Sequence, residues 1–197
     1  MFGLSPSFPP RSLVPLVEEA AGLLKGRNET VSVAETAAGG IISAALLSTA
    51  GASRFYVGGL TGMNADAGKL YTLPSRVQFA GWTDEDTKAY TGPTLGVVSK
   101  MAENVRGKLN STYTVCESGT AGPTGGTTRN RTPGYLALAV STPEGTFTRE
   151  VDTGSADRAE NMVNFAAEAL KLLIDVIKGE WDVKSSGREG QAVNWNL

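Results

Sequence analysis

The chain has 197 residues, 41% of them hydrophobic and 19% charged, enough apolar sequence for one substantial core and a single domain. Its 18 basic and 20 acidic side chains leave a net charge of −2, which argues against a nucleic-acid or anionic-membrane partner. Histidine is absent, so histidine-based triads, Cys-His pairs and histidine zinc sites are excluded, and any proton transfer falls to Tyr, Lys, Glu or Asp.

Residues 1–11 read as an N-terminal arm, without the basic stretch and apolar core of a secretory leader, and no apolar run of about 18 residues follows later. A cytoplasmic protein without membrane insertion is the expectation. Three sequons, at Asn28, Asn110 and Asn130, would accept glycans only in a secretory lumen. Leu13, Leu16, Val17, Ala20, Leu23 and Leu24 recur at helical spacing with Pro15 in the first turn, predicting an amphipathic helix. "ETVSVA" is a short β-branched strand, and "GGIISAALLSTAG" predicts a buried helix ending at Gly51. "RFYVGGLT" reads as a strand. Residues 94–109 predict a second amphipathic helix with Thr94 as N-cap, and "STYTVCESG" a strand entering a turn. The Gly, Pro and Thr-rich "AGPTGGTTRNRTPG" is a loop. Two strands follow, "YLALAVS" and "TFTREVDT", joined by a hairpin at "PEG". Residues 157–178 predict a long closing amphipathic helix. The tail, 179–197, is polar and glycine-rich, yet Trp181 and Trp195 point to packing on the domain or on a neighbouring copy. Alternating helices and strands predict an α/β fold with helices on both faces of the sheet.

Two local stretches bear chemistry. In "VAETAAGGII" a strand meets a helix through a turn carrying Thr36, Gly39 and Gly40. A hydroxyl there lies beside unpaired N–H groups able to stabilise an oxyanion or an anionic ligand, which suits Thr36 to acyl chemistry. The plainer reading is that Thr36 or Glu35 is an N-cap and that the glycines allow close packing. In "ESGTAGPTGGTT", the small residues Ser118, Gly119, Thr120, Gly122, Gly125 and Gly126 can form a nest of N–H groups for phosphate, with Arg129 and Arg131 as countercharge. The same loop also reads as a connector between strands. Cys116 is the lone cysteine and cannot form an internal disulfide, so it is either a buried thiol or a bridge between copies. Alternation puts Tyr113, Val115 and Glu117 on one strand face and Thr114 and Cys116 on the other.

Taken together, these stretches resemble one family. "VAETAAGG" is similar to the "AES-x-x-GG" turn of CinA C-terminal domains, the nicotinamide-nucleotide amidohydrolases, and "SGTAGPTGG" to their "TGIAGPGGG" loop. "GASRFYVGGLT", "KMAENVR" and "GSADRAENMVNFAAEALKLL" resemble that family's "GxSxxFxxGxVxY", "xMAxGxR" and closing "GDR" helix segments in the same order, so the resemblance spans 12–178. It implies a three-layer α/β/α sandwich that dimerises or assembles further, and hydrolysis of the carboxamide of nicotinamide mononucleotide without metal or cofactor. The family's nucleophilic serine corresponds to Thr36, whose β-methyl restricts χ1 and crowds the line of attack. The family's activating Tyr and Lys fall, ungapped, on Met63 and Gly68. With "GMNADAGK" (62–69) taken as an insertion, they fall on Tyr71 and Arg76. Arg76 stays charged and orients rather than acting as a base.

The function expected is therefore that of a catalytically impaired relative working through self-association, with itself as the main partner and a nicotinamide nucleotide as a further ligand. The alternatives are an active amidohydrolase with Thr36 as nucleophile, or a nucleotide sensor without chemistry.

Overall fold

The computed structural model describes residues 8–62 and 81–181. Val17, Ala20, Ala21 and Leu24 are buried along α1 (Val14–Arg27), with Leu13 buried just ahead of it and Pro15 in its first turn, where a missing N–H costs nothing. Asn28 ends α1 and Asn110 ends a later helix, both with left-handed backbone (φ 55° and 49°), so two of the three sequon asparagines serve as helix C-caps.

Strand β1 (Val31–Glu35) leads through a turn into α2 (Ile41–Leu47), and a 3₁₀ turn at Ala52–Arg54 leads into β2 (Tyr56–Thr61). The run expected to stay helical to Gly51 stops at Leu47: Ser48 Oγ donates to the Ala45 carbonyl, and Gly51 turns the chain with φ 77°. A short α3 (Asp84–Ala89), not anticipated from periodicity, is opened by Thr83, whose hydroxyl accepts from the Asp86 N–H while the Asp86 carboxylate accepts from the Thr83 N–H. Helix α4 (Leu95–Leu109) starts on the expected cap, with Thr94 Oγ1 accepting from the Val97 N–H at 3.3 Å.

Strands β3 (Tyr113–Gly119), β4 (Tyr135–Ser141) and β5 (Thr146–Asp152) complete the sheet, and α5 (Arg158–Lys178), capped by Asp157, closes the fold. The hairpin joining β4 to β5 is closed by the Thr142 N–H on the Gly145 carbonyl and by Thr142 Oγ1, which accepts from the Glu144 and Gly145 N–H groups.

The sheet order is β2-β1-β3-β4-β5, with β1 parallel to β2 and β3 and the last three strands antiparallel in turn. Helices α1, α2 and α5 cover one face and α4 the other, giving the α/β three-layer arrangement. Val31, Val33, Val115, Leu136, Leu138 and Val140 point into the larger core with Phe165, Leu170 and Leu173 of α5. Ala34, Cys116, Tyr135, Ala137 and Ala139 face the smaller one with Val98, Met101, Ala102 and Val105 of α4. Each large side chain buried there contributes ~2 kcal/mol of apolar transfer. Trp181 of the tail packs on Phe147 with ring centroids 4.6 Å apart, against the chain's own larger core. Among the described residues, no helix is long and apolar enough to cross a membrane.

Candidate functional site

Strand β1 is followed by α2 on one face, and α4 on the opposite face precedes β3, its neighbour. The connections thus diverge between β1 and β3, and the crevice beyond the carboxyl ends of such strands is where α/β sheets bind ligands. Thr36 and Ser118 occupy those ends, and Thr36 Oγ1 donates to Ser118 Oγ at 3.2 Å and, at 3.4 Å, to the Glu117 carbonyl. Thr36 is 5% exposed and Ser118 3%.

Two carboxylates hold the turn between them. Glu35, fully buried, accepts from the N–H groups of Gly40 and Ile42 on Oε2 (3.0 and 3.1 Å) and from Ser43 N–H and Oγ on Oε1 (3.0 and 2.5 Å). It therefore satisfies the start of α2, the capping role open to it from the sequence. Glu117 reaches across from β3: its Oε1 accepts from the Thr36 N–H at 2.6 Å and the Ala38 N–H at 2.8 Å, while its buried Oε2 has no hydrogen-bond partner. Burial pushes the Glu117 carboxyl up to about 7; the N–H bonds from Ala38 and Thr36 pull it down, and the nearby Glu35 charge raises it. The carboxylate that caps α2 is thus Glu35 rather than Thr36, and Glu117 holds the turn ahead of it.

Gly39 and Gly40 take left-handed backbone (φ 67° and 99°), and a Cβ on Gly39 would lie 2.8 Å from Met162 Cε of α5. In the second loop the glycines answer to packing. A Cβ on Gly119 would lie 2.7 Å from the Tyr135 carbonyl, one on Gly122 2.6 Å from the Ala156 carbonyl, and Gly125 abuts the Arg131 carbonyl. Gly126 N–H donates to Arg131 O at 2.7 Å, and the Thr120 N–H and hydroxyl donate to the Tyr135 and Asn130 carbonyls. The two arginines have partners within the chain. Arg129 pairs with Glu150 at 2.5 Å and lies over the Tyr135 ring, and Arg131 Nε donates to the Thr91 carbonyl at 3.1 Å. Among the described residues, no group of three His, Cys, Asp or Glu side chains converges as a metal site.

Cys116 is fully buried between the sheet and α4. A bridge between folded copies would need that core to open, so the thiol reading fits the packing and the bridge does not. Tyr71 and Arg76, the candidates for the activating pair, and residues 63–69 of the inserted segment lie outside the described residues, as do Trp195 and the rest of the tail beyond Trp181. Glu117 escaped the reading of the sequence as a site residue. Its signal was present in "TYTVCESG", where alternation carries a carboxylate onto the same face as Tyr113 and Val115.

Comparison with known proteins agrees with this architecture. The model of the CinA C-terminal domain matches residues 14–177. A CinA-like protein of Shewanella piezotolerans is 34% identical over 136 residues, covering 69% of this chain and 30% of the relative. One from Desulfosudis oleivorans is 31% identical over 158 residues, 80% of this chain and 36% of its own length. The chain thus spans about a third of the curated relatives it matches. Among solved structures, a competence/damage-inducible protein of Agrobacterium tumefaciens superposes with TM-score 0.74 at 24% identity, covering 86% of this chain and 97% of its own. A competence or damage-inducible protein of Enterobacter asburiae gives 0.73 at 22%, with 85% and 99% covered. Those likenesses share the fold, and the match over nearly the whole described sheet and its helices decides the family: the chain belongs to the CinA C-terminal domain family.

Proposed function

We propose that this chain is a CinA-like domain whose strand-to-helix turn no longer performs acyl transfer, and that it works by associating with copies of itself. The observation that carries the first half is the position of Glu117 Oε1, 2.6 and 2.8 Å from the N–H groups of Thr36 and Ala38. Attack on a carboxamide by a hydroxyl on this turn creates an oxyanion, and backbone N–H groups beside the hydroxyl are what would stabilise it. A carboxylate seated on them withdraws the donors and sets negative charge where more would develop. Thr36 Oγ1 donates only to Ser118 Oγ and a carbonyl, and among the described residues no base accepts its proton. Self-association is supported by the edge strand β2, where Val57 is 45% exposed, and by Leu47 on the adjoining α2, 54% exposed.

The test is ammonia release from nicotinamide mononucleotide, run beside light scattering on the same preparation. Expected are a rate equal to that of Thr36→Ala and particles larger than a dimer. Turnover abolished by Thr36→Ala, from monodisperse dimers, overturns the proposal and leaves an amidohydrolase. Calorimetric binding of the mononucleotide without turnover would instead mark a sensor.

A further inference from the structure

The connection from α3 into α4 encloses space instead of filling it. Trp82 is 4% exposed and packs against Tyr90 with ring centroids 5.2 Å apart and planes tilted by 47°; with Ala89 and Val97 the two rings form the apolar wall of a half-open cavity of about 230 Å³. That volume lies below the ~300 Å³ at which sites for drug-sized ligands begin, and suits a single ring with a short polar arm. Hydrogen bonds fix the walls. On one side the capping box of Thr83 and Asp86 sets α3. On the other, Asn130 Nδ2 donates to the Pro93 carbonyl and Arg131 Nε to the Thr91 carbonyl, both at 3.1 Å, which holds the left-handed Gly92 (φ 126°) between them. Neither Thr36 nor Ser118 lines this cavity.

The polar side of the cavity favours an anion. Lys100 pairs there with Asp86, whose Oδ2 already accepts from the Thr83 N–H and hydroxyl at 2.6 and 2.9 Å, while the ammonium, 43% exposed, keeps donors beyond the one given to Asp86. Gly96, four residues earlier on the same face of α4, has an N–H without an acceptor among the described residues. A Cβ on Gly96 would meet only Thr94 Oγ1, at 4.0 Å, and no acidic side chain occupies the first turn of α4, so the start of the helix stays open to the cavity.

We propose that the cavity between α3 and the start of α4 binds a small aromatic carboxylate, its ring against Trp82 and Tyr90 and its carboxylate on Lys100 and the Gly96 N–H. Ring contact would hold any aromatic of this size, so the acid group carries the selectivity: the anion gains a charge-assisted bond from the ammonium and the corresponding amide an ordinary one.

The test is an amide NMR titration of the full chain with sodium benzoate against sodium chloride of equal ionic strength, with benzamide as the neutral counterpart and sodium acetate as the acid without a ring. Benzoate is expected to move the Gly92, Gly96 and Val97 amides and the Trp82 indole N–H saturably with one midpoint, benzamide to bind there about tenfold more weakly, and acetate not to saturate. Lys100→Met should bring benzoate down to the affinity of benzamide and leave benzamide unchanged, and Val97→Trp, which fills the cavity, should abolish both. No saturation by benzoate, equal affinity for benzoate and either comparison compound, an unchanged benzoate affinity in Lys100→Met, or shifts centred on Thr36 and Ser118 overturns the proposal. Should a variant not fold, the wild-type comparison of benzoate with benzamide and acetate decides alone. Ammonia release judges the Thr36 turn, and the titration judges this cavity whatever the turnover.

Discussion

At the turn, Glu35 and Glu117 bind neighbouring N–H groups but differ in how completely they are satisfied, and that difference sets the sign of two predictions. Glu35 uses both oxygens on four donors, so Glu35→Gln turns an amide NH₂ toward two of them and should cost on the order of 3 kcal/mol in urea unfolding at neutral pH. Glu117 uses one oxygen, so Glu117→Gln keeps the acceptor, places its NH₂ where no partner existed, and removes a buried charge. Its carboxyl is raised from 4.5 to about 7, so it contributes stability that is fully present below the lower value and lost as pH rises through the upper one. The wild-type chain should therefore lose on the order of 3 kcal/mol between pH 5 and pH 8, and Glu117→Gln should show little of that slope and be the more stable of the two at pH 8. A wild-type stability that climbs over this interval would contradict the buried, ionising Glu117. Thr36, Gly39, Gly40 and Ser118 were legible as candidates because each lies in a short recognisable stretch that follows or ends a strand. The role of Glu117 was not, because its partners lie 81 and 79 residues away and only the parallel pairing of β1 with β3 brings them together. For the same reason a glycine loop cannot tell from its own sequence whether it cradles a ligand or fits under a helix. Gly119 meets Tyr135 and Phe165, neither of which is local.

Among the elements, those with a marked apolar period and a polar cap were readable, and those decided by a few competing hydrogen bonds were not. α4 and α5 begin on Thr94 and Asp157, and both caps accept the N–H three residues on, from Val97 and Glu160. Thr94→Ala should cost about 1 kcal/mol in urea unfolding while Thr94→Ser restores most of it, since the hydroxyl oxygen is what the N–H needs. Equal stability of Thr94→Ala and the wild-type chain would mean that packing of Val98 and Met101 alone fixes the start of α4. α2 came out shorter than its alanine-rich run suggests. Helix propensity favours continuation through 48–51, but Ser48 back-bonds to Ala45 and the chain turns at Gly51 to feed β2 into its parallel register beside β1. α3 is too short for periodicity to register, and its visible signal was the Thr83 and Asp86 pair that forms a capping box. Lys100 of α4 pairs with Asp86, which ties that short helix to the longer one and, with the Thr83 bonds, holds the Asp86 carboxyl down at about 2.

At the scale of the molecule, the strand order puts β3 in the middle of the sheet, with helices over both its faces, and this settles what Cys116 can do. In an edge strand a cysteine at that position would face solvent on one side. In β3 it sits under Val98, Met101 and Ala102 with no exposure. Any assembly of folded copies must then be held by noncovalent contacts, the surfaces available among the described residues being those such as Val57 on edge strand β2 and Leu47 on α2. Particle mass by light scattering should accordingly be the same with and without reductant, and unchanged in Cys116→Ser, whereas Val57→Lys, which sets a charge on the exposed side of the edge strand, should shift it downward. The thiol itself should react with an aromatic disulfide reagent only as fast as the chain opens, so that labelling is slow in buffer and rises with urea along the unfolding curve. Prompt labelling of the native chain, or a mass that falls on reduction, would place Cys116 at a surface and break the link between its position in the sheet and its silence.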